Sequence, residues 1–145
     1  MASGTAKVSY RTNADAVNVM VNYEEPWGDE VGVGWAPIVL KCHRELSHLD
    51  PGYRISQIKE KFGGLRYYFD STLPYDSIPY DIMHYVVNEA EAQCARTCEL
   101  CGAAGTLRNN HGWYKTLCDE HAKDMDAIAA AHISAEGYIK YNVRR

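Results

Sequence analysis

The spacing of apolar positions divides the chain into a few elements. From residue 16 to 23, Val17, Val19, Val21 and Tyr23 alternate with Asn18, Met20 and Asn22, a period of two that predicts a half-buried strand. Residues 24–34 mix Pro, Gly and acids and read as a loop. Pro37 suits the first turn of a helix, whose face is lined by Ile38, Cys42, Leu46 and Leu49 until Asp50-Pro51-Gly52 stops it. Between residues 53 and 70, two β-prone runs flank Gly63-Gly64, which predicts a hairpin with those glycines as its two turn residues. A second helix follows, with Ser77 as N-cap and Asp81 in its first turn. Ile82, Val86, Ala90 and Cys94 form its buried stripe, with Tyr85 beside them. Near the end of the chain Gly137 breaks the pattern. Ile139, Tyr141 and Val143 then alternate, as in an edge strand added to the same sheet or to a second subunit.

A turn at Gly63-Gly64 fixes a register in which 62 faces 65, 60 faces 67 and 58 faces 69. One face then carries Ile58, Glu60, Phe62, Leu65, Tyr67 and Phe69 and covers a core. The other sets Lys61 opposite Arg66 and Lys59 opposite Tyr68. Like charges across a ladder are mildly destabilising, and a local rule broken without local gain marks a candidate site. Lys59, Lys61 and Arg66 suit phosphate, and Tyr68 is positioned to stack on a base. The simpler alternative is a wet sheet face, or cations paired with acids elsewhere in the chain.

The chemistry-bearing cluster lies further on. Cys98 and Cys101 form a Cys-x2-Cys pair, and Cys118 and His121 a Cys-x2-His pair, with residues 102–117 between. Three thiolates and one imidazole are a tetrahedral zinc set, and a site filled by four protein ligands is structural. Gly102 and Gly105 allow a tight knuckle after the first pair. Thr116 with Asp119 resembles a capping box, after which Ala122, Met125, Ile128 and Ala129 recur at helical spacing. Knuckle, hairpin across residues 103–115, then helix is the order of a treble-clef finger. Buried thiols without metal are the alternative; a disulfide framework fits worse, because five cysteines leave one over. Cys42 and Cys94 fall on buried stripes and read as packed thiols, although Cys94 could serve as a fifth ligand. His43 and His48 fall off the first helix's stripe and read as solvated, as do His84 and Glu89 on the second helix. His111 reads as an exposed turn residue, and Trp113 as packing on the knuckle.

Composition narrows the classes. The chain has 145 residues, 46% hydrophobic, enough for one core with the finger as a satellite. The expected organisation is an N-terminal extension with a strand (1–34), an α+β core (35–96), the zinc finger (97–132) and a tail (133–145). No apolar run has the length of a membrane span, no targeting pattern opens the chain, and free thiols beside a zinc site suit a reducing cytoplasm. A net charge of −4 argues against wholesale binding to nucleic acid while permitting a local basic patch. Eleven tyrosines offer stacking and docking area.

Two motifs together carry a resemblance. Gln57-Ile-Lys-Glu-Lys-Phe-Gly-Gly-Leu-Arg-Tyr-Tyr68, a helix, and then Cys98-Glu-x-Cys101-Gly with Trp113 and Leu117-Cys118-x-x-His121 resemble a family of small zinc-finger proteins from tailed phages, prophages and bacteria. The likeness spans about residues 35–122. It implies a zinc finger, a phage or bacterial origin and a cytoplasmic home, but little about mechanism. The leading expectation is a zinc-stabilised binding module holding a small anionic, phosphate-containing ligand on Lys59, Lys61, Arg66 and Tyr68; by analogy, that ligand could be a nucleotide signal of bacterial immunity. An inhibitor docking on a host protein is the second reading. Nucleic-acid binding by the finger, or an HNH-type nuclease, is the third. The nuclease fits poorly, because no Asp-His pair accompanies His111 and the spacing between the ligand pairs is short. Catalysis is therefore not expected, and homo-oligomerisation is left open.

Overall fold

A computed structural model describes residues 31–125. The strand expected at 16–23, Ile128, Ala129 and the tail lie outside the described residues. A 3₁₀ turn (Val33–Trp35) leads into α1 (Ala36–Leu49), followed by strands β1 (Arg54–Lys61) and β2 (Gly64–Asp70). Helix α2 (Ile78–Cys94), strands β3 (Thr106–Asn110) and β4 (Trp113–Leu117), and the single-turn α3 (Asp119–Ala122) complete the order. The class is α+β, with two antiparallel two-stranded sheets, β1–β2 and β3–β4.

Helix α1 buries Ala36, Val39, Leu40, Cys42, His43 and Leu46. Ile38 and Leu49, expected on its stripe, are only half-buried. His43 therefore corrects the expectation of a solvated ring. Its Nδ1 lies 2.5 Å from the Tyr53 hydroxyl, which lies 2.8 Å from the Tyr67 hydroxyl. Two phenols from the hairpin supply the partners that a buried imidazole requires. His48 is exposed, as expected.

Asp50 ends α1, its amide donating to Leu46 O at 2.8 Å. The buried carboxylate accepts from Thr72 Oγ1 (2.6 Å), Thr72 N (2.7 Å), Ser71 Oγ (2.8 Å) and Gly52 N (3.2 Å). Burial alone raises a carboxyl's pKa. Here the Thr72 hydroxyl and amide, with the Ser71 and Gly52 bonds, outweigh burial and hold Asp50 below the usual carboxylate range.

The first hairpin forms with a corrected turn. Phe62 (φ 54°) and Gly63 (φ 81°) are its central residues, the left-handed pair of a type I′ turn, and Lys61 faces Gly64. Ile58 faces Tyr67, Glu60 faces Leu65, and the register shifts between Ile55 and Gln57. Relative to expectation Gln57 to Lys61 each pair two positions earlier on β2. A slip of two preserves sidedness, so Ile58, Leu65 and Tyr67 still enter the core while the cations stay outside. The second hairpin decides the slip. Thr116 Oγ1 donates to Gly63 O at 2.7 Å, and a β-carbon on Gly63 would lie 2.5 Å from Leu107 Cδ1.

Helix α2 starts as expected, with Ser77 Oγ accepting from Tyr80 N. Ala90 and Cys94 are buried as expected, but in the first half of the stripe Met83 and Val87 take the places of Ile82 and Val86, and Ile82 is 42% and Tyr85 64% exposed. Periodicity fixes a helical face only to within one position, and here the contact with β2 and α1 selects the neighbouring row. His84 is exposed, with its ring against Phe69 and Tyr80. The main core joins α1, the inner hairpin face and α2 around Trp35, whose Nε1 donates to Thr97 O at 2.8 Å. A second small cluster holds Cys98, Leu117 and Met125, with Leu100 and Trp113 packed against it.

Candidate functional site

The four expected ligand residues come together. One donor atom from each of Cys98, Cys101, Cys118 and His121 lies within 4.8 Å of all the others. Cys98 Sγ and Cys118 Sγ lie 3.5 and 3.4 Å from His121 Nδ1, and Cys101 Sγ lies 3.8 Å from Cys118 Sγ. Each donor is set by local backbone. Cys98 N donates to Ala103 O at 2.7 Å and Gly102 N to Cys98 O at 2.9 Å, closing a turn that Gly102 completes at φ 85°. On the other side Cys118, not Thr116, is the N-cap of α3, with its sulfur accepting from His121 N at 3.5 Å. That backbone bond pulls the Cys118 thiol down to about 7 against a burial penalty, helped by the His121 ring and neighbouring sulfurs. At Cys101 the Ala103 amide acts in the same direction. Desolvation and the sulfurs of Cys98 and Cys118 outweigh it and push that thiol up. Crowded thiols resist joint ionisation, and a shared cation removes that penalty. The cluster could therefore hold a metal ion.

Cys94 and His111 do not join it. Cys94 is a buried core thiol whose pKa is raised by desolvation, and burial pushes Cys42 up to about 12. His111 (φ 56°) sits exposed in the β3–β4 turn beside Gly112. Trp113 packs on the Cys98 cluster, as expected. Arg108 braces the centre from outside, donating from Nε to Leu117 O (3.1 Å) and from Nη2 to Asp119 Oδ1 (2.8 Å) at the start of α3.

Sequence reasoning missed what joins this centre to the hairpin. Lys115, 1% exposed, places Nζ 2.5 Å from Glu99 Oε1 and 3.4 Å from Glu60 Oε1. Glu99 Oε2 accepts from Gly32 N at 3.1 Å, and Glu60 Oε2 from Gly63 N at 2.7 Å. Burial pushes the Glu99 carboxyl up, with the Lys115 ammonium opposing. Glu99 follows Cys98, and Glu60 lies between Lys59 and Lys61, so one buried ammonium spans from the Cys/His cluster to the hairpin. The available signal was Glu60 on an apolar face: a carboxylate there needs a buried partner.

Lys59, Lys61, Arg66 and Tyr68 all lie on the outer hairpin face. Lys59 stands directly opposite Arg66, where Tyr68 was expected, and Tyr68 faces Gln57. Lys59 Nζ lies 6.0 Å from the centroid of the Tyr68 ring. Among the described residues, no carboxylate lies within ion-pair distance of Lys59, Lys61 or Arg66. Comparisons with protein-family models, with curated proteins and with solved structures found no match. Among the described residues, no helix is long and apolar enough to cross a membrane.

Proposed function

We propose that this protein is a zinc-stabilised binding module that holds an anionic, phosphate-bearing ligand on the outer face of the β1–β2 hairpin. The observation that carries the reading is the set of three cations on one face, none matched by a carboxylate among the described residues. Glu60, the acid nearest them in sequence, is directed inward to Lys115 and Gly63. Two cations in direct opposition are unfavourable until an anion neutralises them. A phosphate accepts charge-assisted bonds from ammonium and guanidinium together.

Zinc is the metal best suited to the cluster. A tetrahedral ion bound at usual zinc distances separates two sulfurs by about 3.8 Å and a sulfur from a nitrogen by about 3.6 Å. The donor separations of 3.8, 3.5 and 3.4 Å match those edges. Four protein donors suit a structural ion, and knuckle, hairpin and helix support a treble-clef reading of residues 97–122. Cys98, Cys101, Cys118 and His121 would hold the ion and fix β4, from which Lys115 and Thr116 reach the hairpin.

The test is binding of inorganic pyrophosphate to the intact protein by calorimetry. Lys59→Ala with Arg66→Ala is expected to abolish binding while leaving the circular dichroism spectrum unchanged. Undiminished binding by the double variant contradicts the assignment. A second reading, docking on a partner protein, is favoured by the exposed Ile82 and Tyr85 in the groove between α1 and α2. It predicts that no nucleotide-like excess absorbance near 260 nm co-purifies with the protein.

A further inference from the structure

The first central position of the β1–β2 turn holds Phe62 at φ 54°, where Asn, Asp or Gly is favoured and a bulky side chain is strained. The residue is also 66% exposed, so core packing does not account for it. The β3–β4 turn fills the equivalent position with His111, a residue type that tolerates this conformation better. Strain combined with exposure of an apolar ring points to use of that ring.

Contacts place its neighbours around the turn. The Tyr114 ring meets Phe62 edge-on at 6.2 Å, and Leu107, 56% exposed, puts Cδ1 2.5 Å from where a β-carbon on Gly63 would stand. Lys61 Nζ lies 5.7 Å from the Phe62 centroid, and Arg66 Nη1 lies 3.8 Å from the β-carbon position of Gly64. Phe62, Leu107 and Tyr114 thus form an apolar patch at the hairpin tip. Beside it stand an ammonium and a guanidinium that meet no carboxylate among the described residues. Behind it, Gly63 accepts from Thr116 Oγ1 and donates to Glu60 Oε2, which fixes the turn against the second hairpin.

Apolar side chains edged by cations suit the boundary of an anionic bilayer. Rings and methyl groups enter the acyl region there, while long cationic side chains reach back to the phosphates. A turn needs no groove to do this, and a fluid interface asks for no shape match. The net charge of −4 adds a direction, because an anionic surface repels the molecule as a whole and attracts it where cations stand without acids.

We infer that the tip of the β1–β2 hairpin docks on an anionic phospholipid surface, with Phe62 and Leu107 entering the interface and Lys61 and Arg66 on headgroup phosphates. This deepens the anion-binding reading of the same hairpin, on which it rests: the phosphate is carried by a lipid headgroup.

The experiment is co-sedimentation of the full chain with vesicles of phosphatidylcholine alone and of phosphatidylcholine with phosphatidylserine in a two-to-one ratio. Wild type should bind the mixed vesicles and not the neutral ones, and binding should fall as salt rises. Phe62→Asn suits the turn and keeps the fold, yet should weaken binding to mixed vesicles about tenfold. Phe62→Trp should bind at least as well as wild type, and acyl-brominated lipid should quench its added fluorescence, which reports the ring inside the bilayer. Wild type that stays in the supernatant with mixed vesicles overturns the inference and leaves the patch to an acidic protein surface. Phe62→Asn that binds them as wild type does overturns it equally. After either result, pyrophosphate binding that is lost in Lys59→Ala/Arg66→Ala leaves the anion site standing without the membrane. Undiminished pyrophosphate binding in that double variant removes the anion site too.

Discussion

An ammonium with 1% of its surface exposed must be neutralised where it lies, and Lys115 is met by Glu99 and Glu60. Removing one member of such a group leaves charge buried without compensation, which costs about 3–5 kcal/mol. Lys115→Met should therefore lower the urea unfolding free energy by about that amount, and adding Glu99→Met should recover a large part of it. No recovery in the double variant would mean the two side chains act separately. Asp50 gives a second residue-level test. Its folded pKa lies below its unfolded value, so its stabilisation is fully present above the unfolded pKa, near 4. It is lost as pH falls through the folded value. The urea midpoint of wild type should thus drop more steeply below about pH 4 than that of Asp50→Asn; parallel curves would remove Asp50 from the account. The clustering of Cys98, Cys101, Cys118 and His121 was legible from spacing alone, because the two pairs recur at a fixed spacing. Lys115, Glu99 and His43 were not, because their partners Glu60, Gly32 and Tyr53 lie 55, 67 and 10 residues away in the chain, at no recurring spacing.

The hairpin shows how far an element can be read without its surroundings. Alternation gave the correct sides for Lys59, Lys61, Arg66 and Tyr68, since period two survives a slip of two. The turn residues were misassigned because Gly63-Gly64 satisfies the local preference better than Phe62-Gly63 does. Only the contacts from Thr116 and Leu107 discriminate between them. Alanine substitutions separate the two registers. Gly63→Ala places a β-carbon against Leu107 at positive φ and should cost about 1–3 kcal/mol. A β-carbon on Gly64 meets its nearest neighbouring atom, Lys61 O, at 3.6 Å, so Gly64→Ala should lie within about 0.5 kcal/mol of wild type. The reverse order, read from thermal melts, would restore the Gly63-Gly64 turn. Helix α2 was legible in extent and cap but one row off in the first half of its buried face, an error that exposes Ile82 and Tyr85.

At the scale of the molecule, the hairpin and the Cys/His unit form one construction. Backbone bonds run from Gly34 N to Glu99 O (2.8 Å) and from Glu99 N to Thr116 O (3.0 Å), and Gly63 is held by Thr116. If the Cys/His cluster holds the proposed metal, its loss should therefore loosen the cationic face as well as the residues around the cluster. Chelation of the purified protein should speed amide exchange at Lys61–Leu65 along with Cys98–His121, and exchange confined to the latter would deny the connection. The claim beneath all of this is that Cys98, Cys101, Cys118 and His121 hold one zinc ion, and native mass spectrometry of the intact chain tests it directly. The expected mass is that of the chain plus a single zinc, with the added mass lost in Cys101→Ser. A folded wild-type chain at its metal-free mass would contradict it.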